Sequence, residues 1–197
     1  TLFGGAGIDT ASYADATAAV RASLITPVTF NTGDADGDRY YSIENLVGSD
    51  FSDSLVGNVQ VNYLYGGEGN DTLTGGRGAD FLEGGNGLDR FAFASTLEGG
   101  DTILDFEVDA DRIQITSSAF GATTAANIAA RFVANDTGTA TSGTAPTFIL
   151  DVSGPGSGRL LYDPDGTGTL GAVTLATITF IDANDIYSFN SSSFVFV

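Results

Sequence analysis

A glycine pair and an acidic residue recur along the middle of the chain at a fixed interval of nine residues. From Tyr65 the sequence reads YGGEGNDTLTGGRGADFLEGGNGLD, in which Gly66, Gly75 and Gly84 begin the pairs. Each pair is followed at the same distance by an aspartate, and these are Asp71, Asp80 and Asp89. A short fixed period indicates a solenoid, in which every unit packs on its neighbours. Nine residues are too few for a helical repeat, but they suit a turn followed by a short strand.

Apolar residues keep the same interval over a longer stretch. They are Leu46, Leu55, Leu64, Leu73, Leu82 and Phe91. Two units make one coil, and the two strands of a coil lie on opposite sides of it. The sequence therefore predicts that Leu46, Leu64 and Leu82 line one sheet, and that the other three residues line a second sheet facing it across a narrow core.

The chain is strongly acidic. Its 197 residues include 25 acidic and 7 basic side chains, a net charge of −18, and it has neither histidine nor cysteine. It has no basic face for nucleic acid or an anionic membrane, so cations are the expected counterparts. Without cysteine there is no disulfide framework, and no apolar run is long enough to span a bilayer. No secretory signal is visible, and Gly4 already lies in a repeat, so we expect the tail of a longer protein.

The repeated turn is suited to binding a hard cation. A core of few apolar residues cannot offset the entropy lost on ordering glycine-rich turns, and stacked acidic turns repel one another. Glycine permits positive φ, which can aim carbonyl oxygens into one space, and the aspartate adds an anionic oxygen. Calcium takes about six to eight such oxygens. The lack of histidine and cysteine disfavours zinc and copper, and magnesium prefers to keep its water.

The units GGEGNDTLT, GGRGADFLE and GGNGLDRFA resemble the nonapeptide GGxGxDxUx of the RTX (repeats-in-toxin) exoproteins. The resemblance implies a parallel β-roll in which several calcium ions lie between turns on the same side, two units apart. Asp71 and Asp89 would share one ion with carbonyl groups of residues 66–69 and 84–87. A plain β-helix whose glycines only make turns is the alternative, and three copies in register disfavour it.

Carried over position by position, the resemblance implies a set of metal-binding residues. In the three full copies they are Gly66, Gly67, Glu68, Gly69, Asp71, Gly75, Gly76, Arg77, Gly78, Asp80, Gly84, Gly85, Asn86, Gly87 and Asp89. In the diverged copies they are Gly4, Gly5, Gly7, Asp9, Gly48, Asp50, Asp53 and Asn62, and further along the chain Asp101 and Asp111.

The diverged copies carry separate expectations. Asp53 would pair with the turn of Asp71, with Asp50 making up for the glycines missing from GSDFSD. Asn62 would pair with Asp80 in a weak or empty site, because GNVQVN has one glycine and an amide in place of the acid. Asp9 closes the well-matched GGAGID, and its partner turn would lie either upstream of Thr1 or beyond an insertion at 14–42.

We expect two regions, a calcium-binding β-roll over 1–113 with that insertion, and a β-rich C-terminal cap over 114–197 with at most one or two short helices. Residues 124–134 are the best helix candidate, and the runs TFILDV, GRLLYDPDGTG, VTLATITFI and SFVFV predict strands. GDTILDFEVDADRI resembles a segment that follows RTX arrays, in which Asp101 either continues the calcium ladder or caps the last coil.

Three weaker motifs remain open between two interpretations. GDADGD, at 33–38, is either a solvated turn, which we favour, or a calcium-binding segment; it is not an EF-hand loop, because glycine stands at the fourth position counted from Asp34. YDPDGTG, at 162–168, is either a hairpin turn, of which it is typical, or a metal-binding turn. The terminal SFVFV is either the end of a type I secretion signal or a buried last strand.

The sequence shows no catalytic constellation, because triads and thiol nucleophiles need the histidine or cysteine that it lacks. The first hypothesis is a monomeric, secreted module that folds on calcium at the C-terminus of an RTX exoprotein exported by a type I system. The second is a calcium-supported adhesin or carbohydrate-binding module at a cell surface. Its exposed patch would draw on tyrosines that could also simply pack, and these are Tyr40, Tyr41, Tyr162 and Tyr187. An enzyme in its own right is the third, and the parent protein's activity stays open.

Overall fold

Short strands separated by turns make up most of the described chain, which in this computed structural model comprises residues 1–25, 31–121, 132–135, 146–154, 156–164, 172–182, 185 and 188–197. The strands are β1 Leu2–Phe3, β2 Thr10–Ser12, β3 Arg21–Ser23, β4 Tyr40–Tyr41, β5 Asn45–Val47, β6 Ser54–Val56, β7 Tyr63–Glu68, β8 Thr72–Thr74, β9 Phe81–Asn86, β10 Arg90–Phe93, β11 Asp101–Phe106, β12 Arg112–Ile115, β13 Phe132–Asn135, β14 Thr147–Gly154, β15 Ser157–Asp163, β16 Val173–Phe180 and β17 Phe194–Phe196. Short 3₁₀ helices lie at Gly33–Ala35, Ser117–Ala119 and Ser191–Ser193.

Successive strands alternate between two parallel sheets, which confirms the predicted β-roll. One sheet contains β2, β5, β7, β9 and β11 in that order, and the other contains β3, β6, β8, β10 and β12. Leu46 pairs in register with Leu64 and then Leu82, and Leu55 pairs with Leu73. Phe91 pairs with Leu73, and all six repeat residues of the two rows are fully buried. The core between the sheets therefore receives one large side chain from each short strand.

The segment predicted as an insertion, 14–42, contributes to the roll. Its strand β3 pairs with β6, and its strand β4 pairs with β1. The hydroxyl groups of Tyr13 and Tyr40 lie 2.5 Å apart in a buried hydrogen bond, and the Tyr13 hydroxyl also donates to Asp38. In the GDADGD stretch, Asp34 and Asp36 are exposed.

The C-terminal region extends both sheets of the roll. Strand β16 pairs in parallel with β11 and continues into the antiparallel β15 and β14, while β17 pairs in parallel with β12. The strands predicted from TFILDV, GRLLYD, VTLATITF and FVF are therefore present. Phe106 packs against Phe91 of the roll and against Phe180 and Phe189 of the cap. This aromatic cluster joins the cap to the last coil.

Two sequence predictions fall partly outside the described residues. Of the helix predicted at 124–134, residues 124–131 lie outside them, and residues 132–134 belong to strand β13, which pairs with β14. Of YDPDGTG, Asp163 is the buried last residue of β15, while residues 165–168 lie outside the described part. Within the described part, no helix is long and apolar enough to cross a membrane.

Candidate metal centre

The six-residue turns stack in two columns, one on each flank of the roll. In the first column the backbone N–H of Asp53 donates to Asp71 Oδ1 at 2.7 Å, and that of Asp71 donates to Asp89 Oδ1 at 2.8 Å. In the second column the N–H of Asn62 donates to Asp80 Oδ1 at 2.8 Å. The structure thus brings together turns that lie two units apart in the sequence.

The other carboxylate oxygen of each well-matched turn has no hydrogen-bond partner. Asp71, Asp80 and Asp89 are at most 1% exposed, and the Oδ2 atom of each is buried and unpaired. Burial raises the pKa of Asp71 to about 7 and the pKa values of Asp80 and Asp89 to about 6. A buried, unpaired carboxylate is costly, and its charge must be neutralised by a proton or a cation.

These oxygens converge on the space beside the first glycine of the turn. A β-carbon added to Gly66 would lie 2.2 Å from Asp71 Oδ2 and 2.5 Å from the carbonyl oxygen of Gly84, eighteen residues further on. A β-carbon at Gly75 would lie 2.4 Å from Asp80 Oδ2. At Gly66 the space that glycine leaves open is therefore lined by one carboxylate oxygen and one carbonyl oxygen, and at Gly75 by the carboxylate oxygen. These are hard oxygen donors of the kind that calcium prefers.

The second and fourth glycines of these turns adopt a backbone that other residues rarely tolerate. In the turn of Asp71, Gly67 has φ of 110° and Gly69 has φ of 114°, and the two later copies do the same. The third residues, Glu68, Arg77 and Asn86, are exposed, and Asn86 Nδ2 donates to Glu68 Oε1 at 2.9 Å. Their exposed side chains contrast with the buried carboxylates of the same turns. We call 66–71, 75–80 and 84–89 the open turns.

Two turns close on themselves instead. In 48–53 the backbone N–H of Ser49 donates to Asp53 Oδ2, and the Ser49 hydroxyl lies 3.0 Å from both carboxylate oxygens. In 57–62 the N–H of Asn58 donates to Asn62 Oδ1 at 2.7 Å. Asp50, the residue predicted to make up for the missing glycines, is exposed. We call 48–53 and 57–62 the self-closed turns.

The turn of Asp9 has its partner beyond the insertion. The carbonyl oxygen of Asp9 accepts from the N–H groups of Glu44 and Asn45 at 3.0 Å, and its own N–H donates to Glu44 Oε2 at 3.0 Å. Asp9 Oδ2 is buried and unpaired, and a β-carbon at Gly4 would lie 2.7 Å from it and 1.8 Å from the carbonyl oxygen of Ser42. Glu44 was missed from the predicted site, although it lies eighteen residues before Asn62 and so continues the acidic series.

The C-terminal acids close both columns. Asp101 Oδ1 accepts from the N–H of Asp80, and Asp111 Oδ1 accepts from the N–H of Asp89, each at 3.0 Å. Burial raises the pKa of both carboxyl groups to about 7. Asp105, another residue absent from the predicted site, accepts from the N–H groups of Gly84 and Gly85 at 2.9 and 2.8 Å. The available signal for Asp105 was its position before Phe106 in GDTILDFEVDADRI, the segment that resembles those following RTX arrays.

No group of three or more acidic, histidine or cysteine side chains is assembled anywhere in the described ranges. The donor set is instead one carboxylate per turn with backbone carbonyl oxygens. Of the tyrosines considered for a glycan-binding patch, Tyr40 and Tyr162 are buried in the core, the packed alternative. Tyr41 is exposed and stacks on Phe3, and Tyr187 lies outside the described residues.

Comparison with known sequences identifies the repeats. Residues 42–73 and 56–91 match the RTX calcium-binding nonapeptide repeat, in four copies, and repeats of this class bind Ca²⁺. No curated protein matches the chain.

Among solved structures, the chain is similar to the AlgE6R3 subunit of the mannuronan C5-epimerase from Azotobacter vinelandii, determined in solution. The two share 26% identity over 76% of this chain and 80% of the other, with a TM-score of 0.40.

Proposed function

We propose that this chain, whose residues 42–91 are a region of RTX calcium-binding repeats, is a module that folds on calcium outside the cell and accompanies a bacterial exoprotein through type I export. One observation carries the calcium dependence of folding. Three almost fully buried carboxylates, Asp71, Asp80 and Asp89, each keep one oxygen without a hydrogen-bond partner. When these groups are ionised, a bound cation offsets the cost of burying their charge.

The open turns supply the ligands in this proposal. Asp71, Asp80 and Asp89 each contribute Oδ2. Beside Asp71, the carbonyl oxygen of Gly84, eighteen residues after Gly66, lines the same space, and backbone carbonyl groups complete the donor set in this proposal. Asp9, with the carbonyl of Ser42, provides a similar pair of oxygens at the N-terminal end. When bound, calcium neutralises the buried carboxylates and bridges consecutive coils.

The same chemistry couples folding to the surroundings of the chain. In a calcium-poor cytosol, the net charge of −18 and the buried acids oppose the compact state. In a calcium-rich medium, the free energy of metal binding adds to the free energy of folding. An export route that needs an unfolded chain would benefit from this difference. The repeat class, the acidic composition and the absence of cysteine support the assignment to an exported protein.

The repeat region is a structural calcium-binding module, and any catalytic activity of the parent protein would lie elsewhere. At the end of the chain, β17 pairs with β12 and Phe194 is buried, which supports the interpretation of SFVFV as a last strand. That the same residues act as a secretion signal is part of this proposal. A secretion signal of this kind would be read before folding, while the chain is extended.

Circular dichroism of the full chain, with calcium removed and then restored, tests the proposal. We expect a large gain of β-structure on adding calcium, and no comparable gain on adding magnesium. Full β-structure in the presence of excess chelator would contradict a calcium-dependent fold. Export is tested separately by fusing the chain to a passenger protein in cells that carry a type I system, where failure to appear in the medium would contradict that role.

A further inference from the structure

The two self-closed turns belong to the same coil, which runs over residues 45–62 and contains β5 and β6. They also share a second internal bond. Ser49 Oγ accepts from the N–H of Phe51 at 3.2 Å, and Asn58 Oδ1 accepts from the N–H of Gln60 at 2.8 Å. In each turn a polar side chain at the second position therefore caps the fourth position, a local bond typical of Asx and Ser turns.

Self-closed and open turns treat the side-chain oxygen of the sixth residue differently. In the self-closed turns this oxygen, on Asp53 or Asn62, accepts from the N–H of the second residue. In the open turns the corresponding Oδ2 of Asp71, Asp80 and Asp89 accepts no hydrogen bond. The self-closed turns thus satisfy internally the oxygen that the open turns leave for a cation.

The backbone explains this difference. Gly67 and Gly76, the second residues of two open turns, have φ of 110° and 93°. Ser49 and Asn58 occupy the same position in the self-closed turns, and neither has a positive φ, since Ser42 is the one such non-glycine residue in the described part. A residue with a β-carbon avoids positive φ. The peptide group before the second residue is therefore oriented differently, and the N–H of that residue reaches the side chain of the sixth residue.

Hydrogen bonds also tie this coil to the N-terminal segment on both flanks. On one flank the N–H of Val20 donates to Asp53 Oδ1 at 2.7 Å. On the other flank Asn62 Nδ2 donates to the carbonyl oxygen of Glu44 at 2.8 Å. Asp53 Oδ1 and Oδ2 and Asn62 Oδ1 are thus all occupied by protein donors. The sixth residue of neither turn therefore offers calcium an unpaired side-chain oxygen.

We propose that the coil over 45–62, held by the segment before it, closes without calcium and is the platform on which the calcium-dependent coils over 63–93 assemble. This inference rests on the proposed calcium-dependent fold and adds a direction of assembly, from the coil over 45–62 towards the coils that follow it. Asp53 then serves as a hydrogen-bond acceptor rather than a calcium ligand, and Ser49 occupies the place of the metal.

Ion counting by native mass spectrometry of the full chain, with calcium as the added ion, tests the assignment. Asp89→Asn should lower the number of bound ions by one, whereas Asp53→Asn should leave it unchanged. A loss of one ion in Asp53→Asn would overturn the inference.

A gain-of-site variant tests it in the opposite direction. Ser49→Gly with Phe51→Gly changes GSDFSD to GGDGSD, which frees Asp53 Oδ2 while Oδ1 keeps its bond from Val20, so one further ion should bind. The matched control, Asn58→Gly with Gln60→Gly, opens the other self-closed turn but leaves the neutral Asn62, so no ion should be gained. If the first variant binds no more calcium than the unaltered chain, Ser49 does not occupy a metal position.

Hydrogen exchange of the unaltered chain distinguishes this inference from the proposed function. In chelator, the amides of β5 and β6 should stay protected while those of β8 and β10 exchange, and added calcium should protect the second pair. Equal loss of protection in all four strands, restored by calcium, would overturn the platform and leave the calcium-dependent module standing. Protection of all four strands in chelator would contradict the proposed function itself.

Discussion

Individual carboxylates decide where this chain needs an ion. Asp71 and Asn62 occupy equivalent positions in their units, and both are buried. Their hydrogen bonds differ. Asp71 Oδ2 has no partner, whereas Asn62 bonds through both its amide oxygen and its amide nitrogen. The same position in the repeat therefore serves two purposes, and the hydrogen bonds of each copy show which one applies.

Replacing these two residues should have unequal effects on calcium binding. Asp71→Ala removes an unpaired anionic oxygen, so we expect calcium affinity to fall by at least about tenfold, or about 1.4 kcal/mol. Asn62→Ala removes only internal hydrogen bonds, so its effect on affinity should be smaller. Isothermal titration calorimetry of both variants measures the difference. Equal losses would show that the pairing of turns proposed for the two columns is wrong.

The buried acids also predict a pH dependence of the calcium-free chain. The pKa of Asp71 rises on burial from 3.8 to about 7, and Asp101 and Asp111 behave alike. The folded, calcium-free state then holds protons that the unfolded chain releases between these values, so its stability should decrease as pH rises from about 4 to about 7. Thermal unfolding of calcium-free protein across this range tests the sign. Stability that increases with pH would contradict it.

Calcium should compete with the same protons. Because the metal binds the ionised carboxylate, calcium affinity should be constant above about pH 7 and fall as the pH is lowered below it. Titrations at several pH values measure this, and Asp71→Asn should weaken the dependence. An affinity that is unchanged down to about pH 5 would show that these carboxyl groups are not protonated in the calcium-free fold.

At the scale of single turns, the absence of a side chain is as important as the acid. Gly66 does not have a positive φ, yet a β-carbon there would lie 2.2 Å from Asp71 Oδ2. Gly66→Ala should therefore reduce calcium affinity by about tenfold or more, because the methyl group fills the space on which the oxygens converge. Titration calorimetry of the variant tests this expectation.

Gly37→Ala is the matched control for this substitution. Gly37 has φ of 74° and no atom within 4 Å of an added β-carbon, so the change introduces backbone strain of about 1 kcal/mol without a clash. Its calcium affinity should equal that of the unaltered chain. If both variants lose affinity alike, general destabilisation rather than the filled space would explain the effect.

Strands were easier to predict than turn chemistry. The interval of nine placed Leu46, Leu64 and Leu82 in one row because a period in the sequence becomes a register in a solenoid. The bonds of Ser49 were hidden, because they depend on the φ of one residue rather than on the motif. Glu44 was missed because residues 14–42 separate its turn from that of Asp9 in the sequence. Asp105 was missed because it lies on strand β11, outside the ninefold series, and accepts from Gly84 and Gly85 there.

At the scale of the whole molecule, an aromatic cluster connects the roll to the C-terminal strands. Phe106 is fully buried and lies 5.9 Å from Phe91 and 5.4 Å from Phe189, measured between ring centroids. Phe106→Ala should therefore lower the stability of the calcium-loaded chain by about 3–5 kcal/mol. Since binding and folding are coupled, the calcium concentration at the folding midpoint should rise. Calcium titration followed by circular dichroism measures both.

Phe81→Ala provides the comparison on the same scale. Phe81 is 44% exposed on the outer face of β9, so its removal should change stability by no more than about 0.5 kcal/mol. A similar midpoint for the two variants would show that the cap does not support the roll through Phe106.

Because each coil contains two strands, one in each sheet, the number of nine-residue units that can be added or removed has to be even. Because consecutive units supply opposite sheets, removing residues 66–83 takes out one complete coil. It joins the first half of β7 to the second half of β9 and keeps every later strand on its original side. Removing only 66–74 would move every later strand to the opposite sheet. Strands β11 and β12 would exchange sheets, and the cap strands that pair with them would no longer match the sheets of the roll. The chain can therefore be shortened or lengthened in even numbers of units, and an odd number would separate the array from its cap.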